Sequence, residues 1–156
     1  MSEDAVDALA ERLRDMLPSS SEDATLSVVE PTTRGWNLDA TVPRDHVVEA
    51  ARMLDAEGFG IDAVTGVDWI AAGQMEIVYD FFHPTRAVRA VLRTRVPRER
   101  PEVPSIQAVF PGANWHERET HDFFGIRFLG HPDLTPLLLP EDADFHPLRK
   151  DYPGAS

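Results

Sequence analysis

The 156-residue chain contains no cysteine, so it forms no disulfide and offers no thiolate to zinc, to an iron–sulfur cluster or to nucleophilic catalysis. Lysine is nearly missing too: Lys150 is the only one, and arginine carries the remaining basic charge. Positive charge as a whole is in deficit, 15 Lys and Arg against 27 Asp and Glu, which leaves a net charge of −12. Nucleic acid and an anionic membrane surface would both repel such a chain as primary partners, whereas a basic protein neighbour would not. No apolar run approaches the roughly 20 residues that span a bilayer. Met1 to Leu17 is charged and amphipathic rather than a signal peptide, so a cytoplasmic placement is expected. No G-x-S-x-G elbow occurs, and Gly58-Phe59-Gly60 lacks the third glycine of a phosphate loop and follows a helical pattern rather than a strand.

What is present reads as one α+β domain. Val6, Leu9, Leu13 and Met16 or Leu17 share a face over residues 3–17, with Ser2 as N-cap, so a first helix is expected to end before Pro18. After a loop at Ser19 to Asp23, strands are expected at Thr25–Glu30 and Trp36–Val42, the latter alternating cleanly, with a turn at Pro31–Gly35 between them. Val47, Val48, Ala51 and Leu54 recur at helical spacing from Asp45 to Glu57, and Gly58 stands where a C-terminal cap belongs. Strands at Gly60–Trp69, Met75–His83 and Arg86–Val96 follow, turning at Ala72-Gly73 and Pro84-Thr85. A proline-rich link, Pro97 to Pro104, leads through Ser105–Phe110 to a charged helix near Gly112–Phe124 that stops at Gly125. The expected fold is therefore a largely antiparallel mixed sheet with helices on one face, followed by this motif helix and an extended C-terminal arm. The division is residues 1–125 as the α+β domain and 126–156 as the arm. The apolar periodicity looks complete at Gly125, so truncation there is expected to leave a folded domain.

The most tempting chemical signal is H-E-R-E-T-H at residues 116–121. Its histidines, His116 and His121, are five apart and fall on different helical faces, whereas a zinc-protease helix needs them four apart. A metal-dependent hydrolase built from His116, His121, His131 and nearby carboxylates is the opposing functional class. A plainer reading makes Glu117 with His121, and Arg118 with Asp122, exposed i, i+4 pairs each contributing about 0.2–0.5 kcal/mol. Carboxylate groupings such as Glu119 with Asp122, or Glu141 with Asp142 and Asp144, read as solvated acidic surface rather than acid–base pairs. No catalytic or metal site is assigned.

The arm carries Leu137, Leu138 and Leu139 between prolines, with Phe145 and Tyr152 beyond. A disordered tail is one reading of these prolines, and a segment laid on another protein is the other. Burying three leucines contributes about 5–9 kcal/mol, while ordering each residue costs roughly 1–2 kcal/mol in backbone entropy. The leucines alone cannot hold the arm, so an ordered arm must be engaged along most of its length, through Arg149, Lys150 and Asp151 among others.

The block E-R-E-x-x-D-F-F-G-I-x-F-x-G-H-P-D-L from Glu117 to Leu134, with H-P-L-R-K-D-Y-P from His146 to Pro153, resembles the 30 kDa subunit of the proton-pumping NADH:quinone oxidoreductase, respiratory complex I. V-P-S-I at Val103–Ile106, A-N-W at Ala113–Trp115 and T-G-V-D-W at Thr65–Trp69 extend the likeness, which is weakest over the first forty or so residues. The module is shared with membrane-bound energy-converting hydrogenases and formate hydrogenlyases, the alternative assignment. The resemblance implies a cofactor-free, non-catalytic subunit of the peripheral arm, on the cytoplasmic face of the cell membrane, touching other peripheral-arm subunits. Its C-terminal extension would wrap the quinone-site subunit related to the hydrogenase large subunit, with NADH, FMN, iron–sulfur clusters and quinone on partner subunits. Glu117, Arg118, Glu119 and Asp122 would fix the motif helix against the arm or partner. His131, Asp133, Leu137, Leu138, Leu139, His146, Arg149, Lys150 and Asp151 would be interface residues. One departure is Thr135, where the family usually places a basic residue after P-D-L, which weakens an expected ion pair and leaves the branch of the superfamily open.

Overall fold

The structure, a computed structural model, describes residues 3–17 and 24–153. In chain order it contains α1 (Glu3–Met16), β1 (Thr25–Val28), the single turn α2 (Pro31–Arg34), β2 (Leu38–Thr41), α3 (Val47–Ala56), β3 (Gly60–Trp69), β4 (Gln74–Phe82), β5 (Arg89–Pro97), β6 (Glu102–Pro104), α4 (Ala113–Phe124) and β7 (Arg127–Leu129). The first five strands form one sheet in the order β1-β2-β5-β4-β3, in which β2 and β5 run parallel and every other pair is antiparallel. This is the α+β class with a largely antiparallel mixed sheet.

Period-two alternation divides the faces of that sheet. Met75, Ile77, Tyr79 and Phe81 of β4, with Ala90, Leu92 and Val96 of β5, point into one core with Leu9 and Leu13 of α1 and Val47, Ala51 and Leu54 of α3. Each of the larger side chains contributes about 1.5–3 kcal/mol by leaving water, the two alanines less. The opposite face is kept compatible with water by a charge lattice. Arg93 bonds Asp39 through Nε at 2.9 Å and Nη2 at 3.2 Å, and Glu76 through Nη1 at 3.3 Å, while Arg95 reaches Glu76 at 3.0 Å. Trp36 and Trp69 lie under these guanidinium groups, 5.9 and 4.7 Å from ring centre to Cζ.

The expected N-cap Ser2, the residue Pro18 and the loop Ser19–Asp23 lie outside the described residues. Elsewhere the element ends differ for local reasons. Pro31–Gly35 is one turn of helix, closed by the Gly35 N–H on the Pro31 carbonyl at φ +81°. The helix expected from Asp45 opens with a 3-10 turn, Arg44–His46, behind Pro43. The β4–β5 hairpin turns over residues 83–88 rather than at Pro84-Thr85 alone, because His83 Nδ1 accepts the N–H groups of Thr85 and Arg86 at 3.3 and 3.2 Å.

The larger correction is at the C-terminal side. The presumed link Pro97–Pro104 contains β6, which pairs in parallel with β7, so Val103 aligns with Phe128. Val103 and Ile126 are fully buried and Phe128 nearly so. The apolar pattern therefore does not end at Gly125: residues 126–129 pack with the α+β body.

Candidate functional site

Helix α4 is turned inside out relative to its composition. Glu117, Thr120 and Asp122 are buried, whereas Trp115 is 63% exposed. Positions 113, 117, 120 and 124 form the inward stripe. Thr120 Oγ1 lies 3.1 Å from the Val64 carbonyl of the edge strand β3 and 2.8 Å from the His116 carbonyl one turn back. Phe124 rests on Gly66, where a Cβ would stand 2.7 Å from its ring. Only glycine allows that approach, and through it α4 covers a sheet edge that would otherwise present unpaired backbone groups.

Glu117 is sealed between α4 and the segment that precedes it. Its Oε1 accepts the Ser105 hydroxyl at 2.6 Å, while Oε2 and the Tyr79 hydroxyl have no hydrogen-bond partner among the described residues. Burial pushes the carboxyl up to about 7, against the opposing pull of Ser105 and of the backbone N–H groups of Ile106 and Gln107. The Tyr79 hydroxyl is driven above its ordinary range by burial and then by the Glu117 charge.

Outward of this helix the C-terminal segment is held at both ends. Asp122 Oδ2 accepts the N–H groups of Leu137 and Leu138 at 2.9 and 2.8 Å, with that of Leu139 more distant at 3.4 Å. Arg118 donates to the Thr135 carbonyl from Nε and Nη2, both at 3.3 Å, and its guanidinium stacks 5.6 Å from the Trp115 ring centre. His131 reaches the Asn114 carbonyl at 3.2 Å through Nε2, and its Nδ1 accepts the Asp133 N–H. Asp133 in turn accepts the Thr135 N–H at 3.0 Å, so where a basic residue was expected the backbone of Thr135 serves Asp133 instead. Those bonds hold the Asp133 carboxyl below its usual range.

The second anchor joins the H-P-L-R-K-D-Y-P block to T-G-V-D-W. Asp68 is buried and takes Arg98 through both oxygens at 2.8 and 3.0 Å, as well as the Lys150 N–H at 2.8 Å. Asp151 approaches the same guanidinium at 2.8 Å. The Arg98 contacts, first of all, hold the Asp68 carboxyl below its usual range against the effect of burial. Arg149 Nε donates to the Phe124 carbonyl at 2.7 Å, and the Leu148 N–H to the Phe123 carbonyl at 3.0 Å. His146 donates from Nδ1 to the Asp122 carbonyl at 3.0 Å, its ring lying flush against Gly125, φ +74°. A Cβ at Gly125 would meet that ring at 2.8 Å. Gly125→Ala is expected to cost about 1–2 kcal/mol from the left-handed backbone alone, plus the displacement of His146. Earlier protease cleavage beyond Gly125 and a melting point lower by several degrees are the readouts, and an unchanged melting point would remove the claim.

The expected i, i+4 pairs do not form: Glu117 turns to Ser105, His121 donates from Nδ1 to the Ile126 carbonyl at 2.8 Å, and Arg118 and Asp122 each engage the arm. Glu119 is exposed and has no hydrogen-bond or ion-pair partner among the described residues. Leu137 and Leu139 are half-buried and Leu138 is 60% exposed. Among the described residues no group of three or more His, Asp or Glu side chains is placed to hold a metal ion. Sequence reasoning passed over Asp68, Arg98, Gly66 and the exposed Trp115 and Leu148. T-G-V-D-W was the available signal for Gly66 and Asp68, A-N-W for Trp115 and H-P-L-R-K-D-Y-P for Leu148, while Arg98 lies in none of these motifs.

The family described as the respiratory-chain NADH dehydrogenase 30 kDa subunit matches residues 40–156. An NADH-quinone oxidoreductase subunit of Roseiflexus sp. (strain RS-1) is 43% identical over 149 residues, 92% of this chain and 81% of that protein. An F(420)H(2) dehydrogenase subunit of Methanosarcina mazei is 44% identical over 93 residues, 59% of each chain. In the solved membrane-bound sulfane sulfur reductase, an archaeal respiratory membrane complex, one chain superposes with a TM-score of 0.77 at 26% identity, over 96% of this chain and 84% of that one.

Proposed function

Because this chain belongs to the family of the respiratory-chain NADH dehydrogenase 30 kDa subunit, we propose that it is a non-catalytic scaffold in the peripheral arm of a proton-translocating NADH:quinone oxidoreductase, where it holds the quinone-site subunit related to the hydrogenase large subunit. The observation that carries this reading is the outward line of apolar groups along α4 and the segment bonded to it: Trp115, Leu138 and Leu148 are each more than half exposed. Large apolar side chains gathered on one side of a surface mark a contact surface, and Trp and Arg are among the residue types that carry most of the binding energy at such surfaces. Chemistry falls to the partners. NADH, FMN, iron–sulfur clusters and quinone are proposed to reside there; for the clusters the support is that a chain without cysteine cannot supply the thiolates they need. Among the described residues no helix is long and apolar enough to cross a membrane; attachment through other subunits, on the cytoplasmic face, is part of the proposal.

The same surface suits a complex fed by another electron donor, because nothing in it reads the donor. The likeness to the F(420)H(2) dehydrogenase protein is the observation that favours keeping this second reading.

Trp115→Ala is expected to leave the fold intact and to weaken assembly by about 2–4 kcal/mol, roughly 30- to 1000-fold in affinity, and Arg118→Ala to weaken it comparably while keeping the sheet domain folded but freeing the segment at Thr135. Co-purification of the quinone-site subunit with the variant chain from detergent-solubilised membranes measures this. Normal assembly with an unchanged quinone-reductase rate in both variants would end the scaffold reading.

A further inference from the structure

A slot of about 260 Å³ opens between α4, the edge strand β3 and the C-terminal block, lined by Val64, Thr65, Phe123, Phe124 and Leu148, with Glu119 at its rim. It is smaller than the roughly 300–1,000 Å³ of sites that enclose a drug-sized ligand, and it has the dimensions of a place for one long side chain. Its walls are mostly apolar, and its one charged group is a carboxylate. Glu119 also differs from its charged neighbours. Glu117, Arg118 and Asp122 each spend their hydrogen bonds inside the chain, whereas Glu119, exposed, meets no partner among the described residues. Trp115, Glu119 and Phe123 lie four residues apart on one helical stripe, so the slot continues the exposed line that begins at Trp115.

We propose that this slot receives an arginine side chain of the quinone-site subunit, its methylene stem and guanidinium plane against Phe123, Phe124 and Leu148, and its charge paired with Glu119. The inference rests on the scaffold reading and names the chemistry of the partner at one point. Charge decides the sign of the occupant: a chain of net charge −12 with a carboxylate at the mouth of the slot repels an anionic group and attracts a cationic one. The walls decide between the two cations. A planar, weakly hydrated guanidinium stacks on aromatic faces and tolerates apolar surroundings, whereas an ammonium keeps its water. A purely apolar occupant would leave the Glu119 carboxylate facing buried apolar surface without a counter-charge, which is costly.

The test uses the full-length chain and its native complex. Glu119→Gln is expected to weaken association with the quinone-site subunit about 10-fold and to flatten its salt dependence, and Glu119→Arg to weaken it at least 100-fold. Both variants should keep the wild-type melting point, because Glu119 makes no internal bond. Leu148→Ala should weaken association as well. Glu119→Leu separates the occupants: weaker binding supports the arginine, while binding as tight as wild type means that an apolar side chain fills the slot and overturns the proposal. If Glu119→Arg assembles normally while Trp115→Ala does not, the slot is unoccupied in the complex and only this inference falls. If neither variant affects assembly, the scaffold reading falls first.

Discussion

Removing residues 126–156 is expected to abolish cooperative folding, whereas removing residues 135–156 leaves a folded chain. The first truncation deletes Ile126 and Phe128, at 0% and 2% exposure, and strips β6 of its strand partner. Emptying those two core positions costs about 2–5 and 3–5 kcal/mol, a sum comparable to the whole stability of about 5–15 kcal/mol typical of a domain. The second truncation removes the groups that bond to Asp122 and Asp68 and the His146 ring that packs on Gly125, but it uncovers those residues to water rather than leaving a void. Arg98 stays with Asp68 in it. Thermal melts followed by circular dichroism distinguish the two, and a sharp transition in the shorter chain, near that of the intact protein, would show that the β6–β7 pair is dispensable.

Glu117→Gln is expected to stabilise the protein at pH 8 by about 3 kcal/mol and to have little effect near pH 4. The folded chain holds the Glu117 proton up to about pH 7, while an unfolded glutamate releases it near 4.5. Between those values the unfolded state binds fewer protons, so the contribution of this group falls as pH rises through the window and stays low above it. A shift of that size, at about 1.4 kcal/mol per pH unit, gives the stated figure. Glutamine keeps an acceptor for the Ser105 hydroxyl and adds an N–H group on the side of the unpartnered Oε2. For a chain of this length the gain corresponds to a melting point higher by roughly 10 °C at pH 8. Urea midpoints for both proteins from pH 4.5 to 8 are the measurement. Parallel curves for the two would mean that Glu117 is ionised throughout and well solvated.

The strands of the sheet centre were legible because Met75, Ile77, Tyr79 and Phe81 alternate with polar or less buried neighbours, and nothing but a strand buries every second residue. The faces of α1 and α3 were legible for the corresponding helical reason. Helix α4 was read at nearly its observed bounds, but its inward face was not, although the stripe at 113, 117, 120 and 124 has helical spacing. The period is in the positions, but two of them are Glu117 and Thr120, and polarity hid them from any reading that equates inside with apolar. β6 and β7 escaped for another reason. At three residues each they are too short to show alternation, and prolines at 101 and 104 mark an edge or a link. Their pairing is settled by tertiary contact, Val103 against Phe128, which no local window contains. The arm was recognised as a special segment from its leucines and prolines, yet its anchor on Asp68 spans 82 residues of sequence, and only the fold brings such groups together.

The anchor at Asp68 and the capping of Leu137–Leu139 by Asp122 together close the chain between them into a loop pinned at both ends. A free tail of this length would lose its conformational freedom on meeting a partner, at roughly 1–2 kcal/mol for each residue ordered. A loop already fixed at two points has surrendered much of that freedom during folding. The consequence is preorganisation: the protein can be synthesised, folded and held in reserve with its contact surface in shape, and the encounter with its partner becomes the docking of two formed surfaces rather than the folding of a strap.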